Sequence, residues 1–221
     1  MFKQIFEIFK SDSLHEQALE ECHEMLEIVR EMFNESVNSL RNSDTAEIPI
    51  DIYATDKKIN EFERDVRRKV MTHLAVGGKD DIGSGLILVS VVIDIERIGD
   101  YTKNIYDLAK THPKKLSAGS LKETLNDMEN STKDFLNKAI DAFKNQDIDL
   151  ARQLMTNYKK DIASTSNEIV DSLVSGKNDE FTTDQASALC LYARYLKRIA
   201  AHSRNLVSSI VNPFERIGYP E

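Results

Sequence analysis

An all-α fold built as two tandem three-helix bundle repeats, with six long helices in total, is predicted from three observations. Apolar residues recur at helical spacing along almost the whole 221-residue chain, and no stretch alternates as a strand would. Breakers are scarce, with 8 Gly and 4 Pro, while 30% of the residues are charged. That composition suits long amphipathic helices with solvated outer faces. The third observation is internal similarity. The segment Ile95-Glu96-Arg97-Ile98-Gly99-Asp100 lines up with Leu196-Lys197-Arg198-Ile199-Ala200-Ala201 roughly 100 residues later, and Asn104 and Ile105 then meet Asn205 and Leu206.

The elements follow in order. Residues 1–13 form an N-terminal segment, in which Met1–Lys10 reads as a short amphipathic helix without the apolar run of a secretory signal. The first repeat spans 14–113. Its first helix covers Leu14–Arg41, with Ser13 as N-cap and Glu16 completing a capping box, and Asn42–Pro49 ends it. Its second covers Ile50–Val76 on a core stripe of Ile52, Thr55, Ile59, Phe62, Val66 and Val70, and Gly77-Gly78 stop it. Its third covers Ile82–Thr111 on a stripe of Val91, Ile95, Ile98, Thr102 and Ile105, closed by His112-Pro113. The second repeat spans 114–212. Gly119-Ser120 open it, with Ser120 and Glu123 as another capping box and a helix to Asn145. A single rod over Asp147–Ser175 follows and ends at Gly176. The last helix covers Thr183–Val211, with Thr182 and Gln185 as its capping pair and Pro213 beyond it. The tail 213–221 shows no period. A helix of about 26 residues is ~40 Å long, and short connections make neighbours antiparallel.

Charge and missing motifs narrow the function. A net charge of −8 excludes nonspecific nucleic-acid binding, which needs a basic surface, and suits cations or a partner with basic patches. Cys22 and Cys190 are far apart and in no CxxC pair, as expected of reduced thiols in the cytoplasm. The most apolar stretch, Leu86–Ile95, is too short to span a membrane. The Gly77–Gly85 loop lacks the GxxxxGK[ST] arrangement that cradles nucleotide phosphates, and neither GxSxG nor HExxH occurs. The expectation is a protein that binds rather than catalyses. A di-iron carboxylate enzyme is the first alternative, but it needs paired Glu-x-x-His motifs and only Glu20 with His23 supplies one. A metal-free helical scaffold is the second.

Acidic pairs offer candidate chemistry. Glu61/Asp65 and Glu96/Asp100 are spaced i,i+4, so each pair projects from one helix face with Cβ atoms about 5–6 Å apart. On adjacent antiparallel helices they would gather four oxygen ligands, a donor set for hard cations and iron. On the helical wheel they lie off the core stripe, on an exposed flank. Spacing alone is weak evidence, since 37 acids in 221 residues yield about six such pairs by chance. Glu16/Glu20, Glu20/Glu24 and Glu27/Glu31 repeat the pattern. His15 and His23 are too far apart on one helix to share an ion, and His202 reads as a surface or partly buried histidine.

The longer strings are more specific. Asp94-Ile95-Glu96-Arg97-Ile98-Gly99-Asp100-Tyr101-Thr102-Lys103-Asn104-Ile105 resembles the third-helix signature of the PhoU family. Lys58-Ile59-Asn60-Glu61-Phe62-Glu63-Arg64-Asp65 resembles its second-helix motif. The resemblance covers roughly Leu14–Val211. The opening Phe6–Met25 and the close Asn212–Gly218 are similar to variants that accompany sodium-coupled phosphate transporters. The resemblance implies two three-helix bundles and metal, as iron or zinc, held by E(D)xxxD motifs, with Glu61, Asp65, Glu96 and Asp100 as the ligands. It implies regulation of phosphate uptake through contact with a membrane phosphate transporter and a sensor histidine kinase. It also implies a cytoplasmic protein, peripheral to the inner face of the membrane through its partners, often a homodimer, and no catalysis.

The second repeat departs from the pattern. Lys197 stands where Glu96 stands and Ala201 where Asp100 stands. Aligning Ile162 with Ile59 and Ile169 with Val66 sets Ser164 opposite Glu61 and Glu168 opposite Asp65. A second metal cluster is therefore not expected. Lys197 is read as the local source of the positive charge that a metal supplies in the first repeat, paired with Glu168 or Asp161.

Overall fold

Capping and helical periodicity produce seven helices and no strand among the described residues, which are 13–76, 79–112, 114–176 and 179–221 of a computed structural model. The expected Met1–Lys10 helix, the Gly77-Gly78 stop and Pro113 lie outside them. Helix α1 (Leu14–Asn42) starts on the expected capping box, in which Glu16 N–H donates to Ser13 Oγ at 3.1 Å and Ser13 N–H to Glu16 Oε2 at 2.8 Å. Helix α2 (Ile52–Val76) begins two residues later than its apolar pattern, because Asp51 caps it. The Asp51 carboxylate accepts from Tyr53 and Ala54 N–H, both at 3.1 Å. Helix α3 covers Ile82–Thr111.

Two expectations fail in the second half. Helix α4 (Lys122–Asn145) is entered through a 3₁₀ turn at Gly119–Leu121, and Ser120 and Glu123 form no capping box. The Ser120 N–H instead donates to the Glu180 carboxylate, at 3.0 and 3.2 Å to its two oxygens, so an acid from a distant loop satisfies the amide the box would have used. Helix α4 ends on Gln146 in the left-handed region, φ 52°. The rod expected over Asp147–Ser175 is not continuous. It divides into α5 (Ile148–Tyr158), a π-turn at Lys159–Ala163 and α6 (Ser164–Val174). Helix α7 (Thr183–Val211) closes the repeat, with Thr182 N–H donating to Gln185 Oε1 at 3.2 Å.

Helix α3 packs on α1 and α2 in the first bundle, α7 packs on α4, α5 and α6 in the second, and α3 and α7 pack on each other. The third helix of each repeat therefore lies at the centre. The stripe Val91, Ile95, Ile98, Thr102 and Ile105 is fully buried, as are Ile59 and Val66 of α2. Gly99 permits the close approach, since a Cβ there would stand 3.0 Å from Ile59 Cδ1 and 3.6 Å from Val29 Cγ1.

Besides the exposed pair of Lys144 with Glu27 at 2.9 Å, polar contacts join the bundles at two largely buried places. Arg41 of α1 donates to Glu129 Oε1 of α4 at 2.6 Å, to Asn126 Oδ1 at 2.9 Å and to the Leu116 carbonyl, while the buried Tyr192 of α7 donates its hydroxyl to Glu129 Oε1 at 2.7 Å. On the α3–α7 seam, buried Asp94 accepts from His202 Nδ1 at 2.7 Å and Asn205 Nδ2 at 2.9 Å. A carboxylate only accepts, so Nδ1 of His202 carries the proton.

Candidate metal centre

The core stripe of α2 has two flanks, and they do different work. Asp56, Asn60 and Glu63 fall on one side of the line through Ile59 and Val66, and Lys58, Glu61, Asp65 and Lys69 on the other. The first flank turns toward α3. There the Lys103 ammonium donates to Asp56 Oδ2 at 2.8 Å and to Asp100 Oδ1 at 3.2 Å, tying the two helices through one cation. Arg97 pairs with Asp100 at 2.9 Å and with Glu96 at 3.4 Å. Glu63 pairs with Arg67 along its own helix at 2.7 Å.

The second flank turns toward α1. Lys69 joins Glu21 of α1 and lies 3.7 Å from Asp65, which also pairs with Arg68 at 2.8 Å. Glu61 is exposed at the rim of a shallow groove with Glu21, Phe62 and Asp65. The structure therefore brings Glu96 and Asp100 together and leaves Glu61 and Asp65 away from them. The physical reason is helical phase. Both ExxxD-like pairs have the right spacing, but only one flank of α2 faces α3. In place of Glu61 and Asp65, the α3 carboxylates have Asp56 and Glu63 for neighbours.

Glu96 does not sit on an exposed flank as expected. It is 9% exposed, and its Oε2 has no hydrogen-bond partner. Burial pushes its carboxyl up to about 7, helped by the charges of Asp100, Glu63 and Asp56 and opposed by Arg97. Burial pulls the Lys103 ammonium down, but its hydrogen bonds to Asp56 and Asp100 outweigh this and leave its pKa above the ordinary lysine value. A buried carboxylate oxygen that makes no hydrogen bond, with the Arg97 Nε at 3.4 Å and other carboxylates around it, fits a hard cation in its chemistry. As the side chains stand, Lys103 and Arg97 supply that charge, and no three His, Cys, Asp or Glu groups among the described residues converge on one point.

The raised pKa has a consequence for stability. A carboxyl whose folded pKa lies above its unfolded value favours folding fully below about pH 4.5, and that contribution is lost as pH rises toward about 7. Glu96→Gln should therefore leave urea stability unchanged near pH 4 and, in chelator, raise it at pH 8 by about 1–2 kcal/mol, the full linkage value being reduced for solvent screening. A less stable variant at pH 8 would show that the carboxylate is already satisfied.

The second repeat replaces this acidic pocket with a basic one. Lys197 donates to Asn167 Oδ1 at 2.9 Å, not to Glu168 or Asp161, and Arg194 donates to the same oxygen at 3.2 Å. For Glu168 the reason is helical phase again, since it precedes buried Ile169 as Asp65 precedes buried Val66.

No helix among the described residues is long and apolar enough to cross a membrane. The chain matches the family model described as the PhoU domain twice, over residues 22–109 and 125–210. It is 27% identical over 198 residues to the phosphate-specific transport system accessory protein PhoU homolog 1 of Thermotoga maritima, covering 85% of this chain and 81% of that one. Its fold is similar to the crystal structure of PhoU from Pseudomonas aeruginosa, with a TM-score of 0.78 and 22% identity over 89% of this chain and 94% of the other. It is similar too to the phosphate transport system regulatory protein PhoU from Streptococcus pneumoniae, with a TM-score of 0.76 and 18% identity over 90% and 93%. With both repeats matched over most of their length, and the α3 signature placed at the centre of the fold, the chain belongs to the PhoU family.

Proposed function

We propose that this protein regulates phosphate uptake from the cytoplasmic side of the membrane, by binding a phosphate transporter and a sensor histidine kinase rather than by catalysis. The observation that carries the reading is the family match in both repeats, supported by the phosphate-transport role named for the Thermotoga maritima relative. A regulator of this kind acts through differential affinity, since a ligand shifts an equilibrium only by binding one state better than the other. The test is binding of the purified chain to the transporter held in its transporting and its arrested states. Affinities should differ by about 5–150-fold, the usual range of allosteric coupling. Equal affinity for both states would contradict the role. A homodimer is part of the proposal, checked by sedimentation of the same preparation.

The acidic pocket belongs to this reading as a site for iron or zinc. Glu96 and Asp100 would hold the ion, with Asp56 and Glu63 as the adjoining carboxylates, and Glu61 and Asp65 would take no part. Bound there, a metal would supply the positive charge that Lys103 and Arg97 otherwise bring to the same carboxylates.

A further inference from the structure

Helix α7 has no Asp or Glu from Gln185 to its end at Val211, in a chain with 37 acidic residues and a net charge of −8. Its counterpart α3 carries Asp94, Glu96, Asp100 and Asp107. Over the same helix turns α7 presents Arg194, Lys197 and Arg198. At positions i, i+3 and i+4 these share one face. Among the described residues none of the three has a carboxylate partner within salt-bridge distance. Arg198 reaches only Tyr101, at 3.1 Å to its hydroxyl, and His202 at 3.3 Å.

One neutral oxygen does the work of a counter-ion. Asn167 Oδ1 accepts from both Lys197 and Arg194, drawing two like charges to a single atom. Burial lowers the Lys197 pKa, and the nearby charges of Arg194 and Arg198 lower it further, as happens to a cation lacking an anion. Ala201 follows one turn on, where the first repeat has Asp100, so no carboxylate repels an incoming anion there.

We propose that Asn167, Arg194, Lys197 and Arg198 form a binding site for a phosphate group, either inorganic phosphate or the phosphomonoester head of a lipid. A carboxylate would neutralise only one of the three cations. A phosphate near neutral pH carries up to two charges, and its separate oxygens can address two guanidinium groups and an ammonium together. The amide Nδ2 of Asn167 would donate beside them. The site needs no transporter, so it stands apart from the regulatory reading.

The test titrates the isolated chain with inorganic phosphate and, separately, with vesicles containing phosphatidic acid, at low salt with chloride as background. Asn167→Asp is the main variant, because a near-isosteric carboxylate should pair with Lys197 and Arg194 and occupy the site without disturbing the fold. Lys197→Gln removes one donor. Saturable binding of inorganic phosphate, weakened about tenfold or more in both variants, is the expected result. Binding to the vesicles alone, with the same loss in both variants, supports the site and assigns it to the lipid head. No binding of either probe, binding unchanged in the variants, or preference for polyglutamate overturns the proposal. Any of these outcomes leaves the transporter experiment to be decided on its own.

Discussion

Glu129→Ala should lower the unfolding free energy by about 3–5 kcal/mol, the usual cost of removing one partner from a buried ion pair. Glu129 and Arg41 are 15% and 12% exposed at their side chains, and the same carboxylate oxygen takes the hydroxyl of fully buried Tyr192. Removing the carboxylate leaves a guanidinium and a phenol without their acceptor, on helices α1 and α7 of different bundles. Tyr192→Phe removes only the hydroxyl bond and should cost about 1 kcal/mol. Urea unfolding of both variants against the wild type decides the matter. A loss below about 1 kcal/mol for Glu129→Ala would mean that Arg41 finds its compensation elsewhere, in Asn126 or the Leu116 carbonyl.

Metal content is the second large effect. Protein purified without chelator should contain iron or zinc, and Glu96→Ala/Asp100→Ala should lose nearly all of it. Glu61→Ala/Asp65→Ala should keep it, because Asp65 pairs with Lys69 and Arg68 on the flank facing α1 and Glu61 is exposed beside it. Equal metal in the wild type and the Glu96/Asp100 variant would reject the centre. Loss in the Glu61/Asp65 variant would reject its placement. Lys103→Ala adds a finer check, since an ammonium bonded to Asp56 and Asp100 competes with a cation for the same oxygens. That variant should bind metal more tightly.

Much of the fold was legible because capping and core periodicity are local. Ser13 with Glu16, the fully buried α3 stripe and the α3 boundaries all appear as the residues indicate. The acidic pocket was half legible. The string around Glu96 and Asp100 identified α3, but the choice within α2 needed long-range information. Glu61/Asp65 and Asp56/Asn60/Glu63 flank the same core stripe from opposite sides. Which side meets α3 depends on the handedness of the bundle, and helical spacing does not encode it. The burial of Glu96 was hidden for the same reason, because a wheel centred on Ile98 places it outside the core until α2 is set beside it. Asn167 as the partner of Lys197 was also out of reach, because Ile169 is buried as aligned and the choice between Asn167 and Glu168 is one of flank again, the break at Lys159–Ala163 lying ahead of both.

That break sets where the chain can change length. A π-turn holds one residue more than an α-turn over the same span, and each residue of an α-helix turns its successors by about 100°. The surplus residue within Lys159–Ala163 behaves as an absorbed insertion. Deleting one residue there would leave a regular helix, with Asn167 still opposite Lys197 and Ile169 still in the core. Deleting one from α4 or α7 would swing a whole face into solvent. Single-residue deletions scanned through the second repeat should therefore be tolerated at this turn and rejected along the neighbouring helices.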